Sequence, residues 1–109
     1  MKTREKLPFV MVFLFLLILA VPSSGADDAT AVYKGKCAAC HGPDGKADTP
    51  MGKKLKVRNL QSEDVQNLSD EELREIISNG KAKMPAFSKK LTSDEIEGLV
   101  TYIRSLAEN

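Results

Sequence analysis

The chain reads as an all-α domain of three or more helices behind an N-terminal targeting segment. Three observations carry that expectation. "LSDEEL" (residues 68–73) and "LTSDEI" (residues 91–96) repeat one helix-start signature. The C-terminal segment sets Ile96, Leu99, Val100, Ile103 and Leu106 on one stripe of period 3.6. Beyond the leader, no segment alternates apolar and polar residues as a half-buried strand does.

Taken in order, residues 1–25 stand apart from the fold. Lys2, Arg4 and Lys6 precede the apolar run "FVMVFLFLLILAV" at residues 9–21, and the small residues "PSSGA" follow. This is the layout of a secretory signal peptide, with cleavage expected after Gly25 or Ala26. The run falls short of the roughly 20 residues that span a bilayer, although short anchors overlap this length, so an uncleaved anchor stays open. Residues 26–109 then form one exported domain.

The first helix of that domain is expected over residues 28–40, with Val32 and Tyr33 on its buried side and Gly35 weakening its middle. "GPDGKADTPMGKKLKVRNLQSEDVQN", residues 42–67, is read as one long loop. A loop of that length in a small domain implies that it wraps or binds something. In the two helix-start signatures Ser69 and Thr92 act as N-caps, Glu72 and Glu95 close capping boxes, and Leu68/Leu73 and Leu91/Ile96 are placed as hydrophobic staples. Acidic residues in these first turns also suit the helix dipole. The first of the two helices buries Leu73, Ile76 and Ile77 and stops at Asn79-Gly80, where glycine is expected in a left-handed cap.

Size poses a problem. Of 109 residues, 84 remain if residues 1–25 are removed, and a domain that small usually needs a disulfide, metal or cofactor to complete its core. Charge offers no alternative explanation. Setting aside Lys2, Arg4, Glu5 and Lys6, the exported part carries 13 basic and 14 acidic side chains. No basic excess points to nucleic acid and no acidic excess to disorder.

The staple lies in "CAACH". Cys37, Cys40 and His41 are all the cysteine and histidine the chain has. A disulfide between Cys37 and Cys40 would close too small a loop to restrict the unfolded chain much. A thioredoxin-type dithiol belongs beside a strand–helix unit, and no strand precedes this one. Structural zinc needs four ligands where only three groups are present. The spacing C-x-x-C-H instead matches covalent attachment of a c-type haem. On a helical turn, residues three apart face the same way, so both thiols reach the vinyl groups along one porphyrin edge. The next residue then presents its imidazole to the iron. The macrocycle supplies the missing core, and export agrees with this chemistry.

A sixth iron ligand has two candidates beyond the leader, Met51 and Met84. Met84, in "GKAKMPAF", precedes Pro85, which holds it extended and able to present a thioether from a rigid loop. Met51 is expected to fill space. A His41/Met84 pair is the axial set found in cytochromes c.

"YKGKCAACHGPDGK", then "MPAF", then the amphipathic "YIRSLAEN" terminus resemble a small bacterial class I cytochrome c over nearly the whole exported chain. The resemblance implies the class I fold: helices wrapped around one covalently attached haem, the N- and C-terminal helices crossing near its edge. It implies that Tyr33 and Tyr102 contribute to the crossing and the haem wall, and that a proline carbonyl orients His41. Pro50 fits that place better than Pro43. Ala29 stands where many relatives have glycine at the crossing.

Two axial side chains leave no open iron position, so the expected function is outer-sphere electron transfer by Fe(III)/Fe(II) cycling in the periplasm, by a monomer, without catalysis. Other readings stay open: a haem enzyme or gas sensor with a labile sixth ligand, or an anchored subunit of a larger oxidoreductase. Redox protein partners follow from the carrier reading. "GKKLKVR" (residues 52–58), "GKAK" (residues 80–83), Lys89 and Lys90 gather positive charge, which suits an acidic docking face or is solvated surface alone.

Overall fold

The computed structural model describes residues 26–108. The leader, including the expected cleavage site after Gly25, lies outside the described residues. Six helices follow in order: α1 (Ala26–Lys36), α2 (Ala38–His41), α3 (Pro50–Leu55), α4 (Glu63–Gln66), α5 (Asp70–Asn79) and α6 (Ser93–Leu106). Among the described residues the only extended pairing is an isolated antiparallel bridge between Lys81 and Met84. The architecture is all-α.

Both capping boxes form. Ser69 and Thr92 accept from the backbone N–H groups of Glu72 and Glu95, and each glutamate returns a bond to its cap residue's N–H. Each box pairs two of the amide donors that a helix start leaves open. On α6 the five stripe residues are all buried, Leu99 at 1% and Val100 at 2% exposure. α1 crosses α6, and there Tyr33 lies against Tyr102 with ring centroids 4.7 Å apart. Ala29 is buried in the same helix, so the small side chain expected at the crossing is sealed from water.

The fold departs from the sequence expectation in three places. The first helix is interrupted at Cys37, whose φ of −116° and ψ of −34° part α1 from α2. Its N–H still bonds the Tyr33 carbonyl at 2.9 Å, and the His41 N–H bonds the Cys37 carbonyl at 2.9 Å, so the turn stays helical on both sides. The long loop contains two short helices. Thr49 caps α3 with Pro50 at its first position, and Ser62 caps α4 ahead of Glu63 and Asp64. Gly80 has the positive φ of 79° that favours glycine, but its ψ of 169° leads the chain away extended instead of closing a left-handed helical turn.

Arg104 on α6 ties this irregular middle to the helical frame. Its guanidinium donates to the carbonyls of Gln66 at 2.8 Å and Leu68 at 2.5 Å, and to the Asp70 carboxylate at 3.0 Å. The end of α4 and the start of α5 thus share one planar donor, a task that suits a guanidinium fork. Arg104→Ala is expected to destabilise the protein by about 1–3 kcal/mol, because two carbonyls lose a charged donor. Asp70→Asn should cost about 1 kcal/mol or less, since that carboxylate is exposed. Urea denaturation of both variants checks the ranking.

Candidate haem-binding site

The buried side chains form one apolar cluster, and one side of it borders a cavity. Leu60 and Val65 from the middle segment, Leu73 and Ile77 from α5, Phe87, and Leu99 from α6 form the wall of a cavity of about 350 Å³. Cys37, His41 and Met84 line the same cavity. Its volume lies in the range of small-molecule and cofactor sites, and a mostly apolar wall with a few polar groups is their usual chemistry.

α2 presents the first group of side chains. Cys37 and His41 are half-buried and reach the cavity; Cys40 is half-buried on the same turn but does not contribute to the cavity wall. Burial pushes the Cys37 thiol up to about 11, with Cys40 adding to the rise and Lys36 opposing it. The free thiol is therefore held protonated at neutral pH. Burial also lowers the His41 pKa below its ordinary 6.5, against a smaller upward pull from the Arg58 carbonyl. His41 Nδ1 donates to that carbonyl at 3.0 Å. A carbonyl can only accept, so Nδ1 carries the proton and Nε2 keeps its lone pair: a neutral imidazole oriented for metal ligation.

The orienting carbonyl belongs to Arg58, not to Pro50. Pro50 opens α3, is exposed and does not line the cavity. The chain turns back only after α3, where Lys56 takes a left-handed conformation (φ 55°, ψ 48°) and the Val57 N–H bonds the Gly52 carbonyl at 3.0 Å. That reversal brings the Arg58 carbonyl to the imidazole. No side-chain signal marks it, since any residue's backbone carbonyl could serve.

Met84 is braced on both sides. It exchanges backbone bonds with Lys81 at 2.9 and 3.1 Å across the isolated bridge. Gly80 packs so closely behind it that a Cβ there would lie 2.6 Å from the Met84 carbonyl oxygen. After Pro85, Phe87 and Ser88 bond the carbonyls of Ile77 and Ser78, each at 3.0 Å, which fastens the segment to the end of α5. Met51, expected to fill space, is instead 46% exposed on α3, because Gly52 beside it takes the buried position.

Tyr33 lines the cavity, is 1% exposed and donates its hydroxyl to the Gly42 carbonyl at 2.6 Å. Burial raises its pKa, so the hydroxyl stays a donor. Tyr102 stacks behind Tyr33 and does not reach the cavity wall itself. Lys56, Arg58, Lys81 and Lys83 are exposed yet contribute to the cavity lining, a cationic rim on an apolar interior. Lys90 sits 5.6 Å from the centroid of the Phe87 ring, which lines the cavity from the other side of Met84 in sequence.

A flat apolar macrocycle with one metal fits this donor set: greasy walls, a free imidazole Nε2, a thioether and two thiols on one turn. Comparison with known proteins agrees. Residues 24–103 match the family described as "Cytochrome C oxidase, cbb3-type, subunit III". The chain is 37% identical to a cytochrome c6 from Rippkaea orientalis over 101 residues, covering 90% of this chain and 88% of the relative. It is also 37% identical to a cytochrome c6 from Bryopsis maxima over 84 residues, 72% of this chain and 84% of the relative. The solved structure of the KustC0563 c-type cytochrome superposes with a TM-score of 0.67 at 34% identity, covering 72% of this chain and 96% of that one. The chain therefore belongs to the c-type cytochromes: it is a small all-α class I cytochrome c, a monohaem electron carrier with one covalently attached haem c.

Proposed function

We propose that Cys37 and Cys40 form the two thioethers to the haem and that His41 and Met84 are the axial ligands of its iron. One observation carries this reading: a neutral imidazole with Nε2 free and a backbone-braced thioether line one apolar cavity beside the Cys37 thiol. The bound group supplies single-electron Fe(III)/Fe(II) exchange. The chain's part is to exclude water, hold both ligands through the change of charge, and favour the reduced state with a soft sulfur ligand. Rigid ligands on both sides leave no position for substrate, which favours a carrier without catalytic activity over a haem enzyme or gas sensor. The bracing of Met84 is the specific support, since a labile ligand gains nothing from four backbone hydrogen bonds around it.

The rim of Lys56, Arg58, Lys81 and Lys83 gives the carrier a basic face for redox proteins with acidic surfaces. Of the nearby lysines, Lys53 pairs with Asp48 at 3.1 Å and is already partly neutralised. The leader's layout supports export to the periplasm, and among the described residues no helix is long and apolar enough to cross a membrane.

Two experiments test these assignments. In the oxidised protein the far-red sulfur-to-iron charge-transfer band should be present, and Met84→Ala should abolish it while leaving the haem bound to the polypeptide in denaturant. A band that survives the substitution assigns the sixth ligand elsewhere. For docking, the rate of electron exchange with an acidic redox protein should fall by about tenfold or more between low and physiological ionic strength. Charge reversal at Lys56 and Lys83 should flatten that dependence. A flat dependence in the unsubstituted protein would mean that these lysines are solvated surface only.

A further inference from the structure

α2 is four residues long, so almost all of its carbonyls lack a partner within the helix. Their partners come from outside. The Ala38 carbonyl accepts from Gly42 N–H at 2.8 Å, and that of His41 from Ala47 N–H at 2.7 Å. Gly42, just beyond the helix, accepts from the Tyr33 hydroxyl. The two in between, Ala39 and Cys40, are served by one side chain. The Thr49 hydroxyl lies 2.9 Å from the Ala39 carbonyl oxygen and 3.1 Å from that of Cys40. The same oxygen accepts the Gly52 N–H at 2.8 Å, so its proton is directed toward α2 and its lone pair toward α3.

Packing reinforces the join. Gly52 is buried, and a Cβ on it would collide with the Cys40 carbonyl oxygen and lie 2.7 Å from that of Ala47. The first turn of α3 is therefore pressed against the back of the Cys37–His41 turn, with Thr49 as its polar contact.

We propose that Thr49 is a positioning residue for the haem ligand: by bonding the Ala39 and Cys40 carbonyls it fixes the backbone that carries His41 and thereby the plane of the imidazole. The inference rests on His41 being an iron ligand. Arg58 restrains the ring at Nδ1, and Thr49 restrains the backbone from which the ring projects. An N-cap role for α3 accounts for the bond from Gly52 but not for the hydroxyl proton shared between the two α2 carbonyls.

Thr49→Val keeps the shape and removes the hydroxyl; Thr49→Ser keeps the hydroxyl; Thr92→Val removes a helix cap on α6, away from α2. Each is measured as the haem-loaded protein for thermal stability, reduction potential and the low-spin electron paramagnetic resonance of the oxidised iron. Thr49→Val is expected to shift the g values and to change the equilibrium constant for reduction by about twofold to tenfold, the span of one net hydrogen bond. Thr49→Ser should restore both, and Thr92→Val should lower stability with neither shift. If Thr49→Val only lowers stability, with potential and g values unmoved, Thr49 is a helix cap alone and the proposal is overturned. Should Thr49→Val yield no haem-loaded protein, nuclear magnetic resonance of the unsubstituted reduced protein decides. A slowly exchanging Thr49 hydroxyl proton supports the clamp, and one exchanging like a surface hydroxyl overturns it. Failure of the His41/Met84 assignment shows separately, in the unsubstituted protein's spectrum before any Thr49 variant is made.

Discussion

The whole arrangement depends on an apolar cavity built onto one side of the packed core. Leu60, Val65, Leu73, Ile77, Phe87 and Leu99 are buried from solvent, yet their side chains end on a cavity. Apolar groups that border a cavity gain contacts on that side only from whatever the cavity holds. The covalently attached haem c of the family is the group whose apolar macrocycle would supply those contacts. The irregular middle of the chain, residues 42–67, contributes Leu60 and Val65 to the core and is held in shape by α3, α4 and the donors of Arg104.

The chemistry is controlled largely by backbone atoms. The imidazole is oriented by the Arg58 carbonyl, the His41 turn by bonds to its exposed carbonyls, and Met84 by a two-residue bridge and a glycine behind it. Side chains supply the reactive atoms, while the chain path supplies their positions. Such bracing suits an electron carrier, because groups held in place through a change of oxidation state would keep reorganisation small. The cavity is apolar inside and cationic at its rim.

The same division explains what was legible in the sequence. Cap chemistry is local, so "LSDEEL" and "LTSDEI" marked the starts of α5 and α6, and the period-3.6 stripe marked the buried face of α6. "CAACH" marked the turn that brings Cys37 and His41 to the cavity, and the methionine before Pro85 lines the same cavity. Arg58 was not, because a carbonyl has no residue signature and only the left-handed turn at Lys56 brings it to His41. Proline's usual place in the family drew attention to Pro50, but Thr49-Pro50 also has the form of a helix start, and the structure uses it as one. Met51 looked like filling from its hydrophobicity, whereas its neighbour Gly52 is the residue pressed inward. Tyr102, expected at both the crossing and the haem wall, lies against Tyr33 at the crossing and does not line the cavity.

The most direct test of a core completed by its cofactor is the stability of the chain without it. The Cys37→Ser/Cys40→Ser polypeptide, which cannot hold the haem covalently, is compared with the haem-loaded protein by far-ultraviolet circular dichroism during urea denaturation. The loaded protein should unfold in one cooperative transition, and the haem-free chain should lose most of its helical signal and show no such transition. A haem-free chain with the same helix content and a sigmoidal transition at a similar urea concentration would contradict that expectation, because the polypeptide would then have closed its own core.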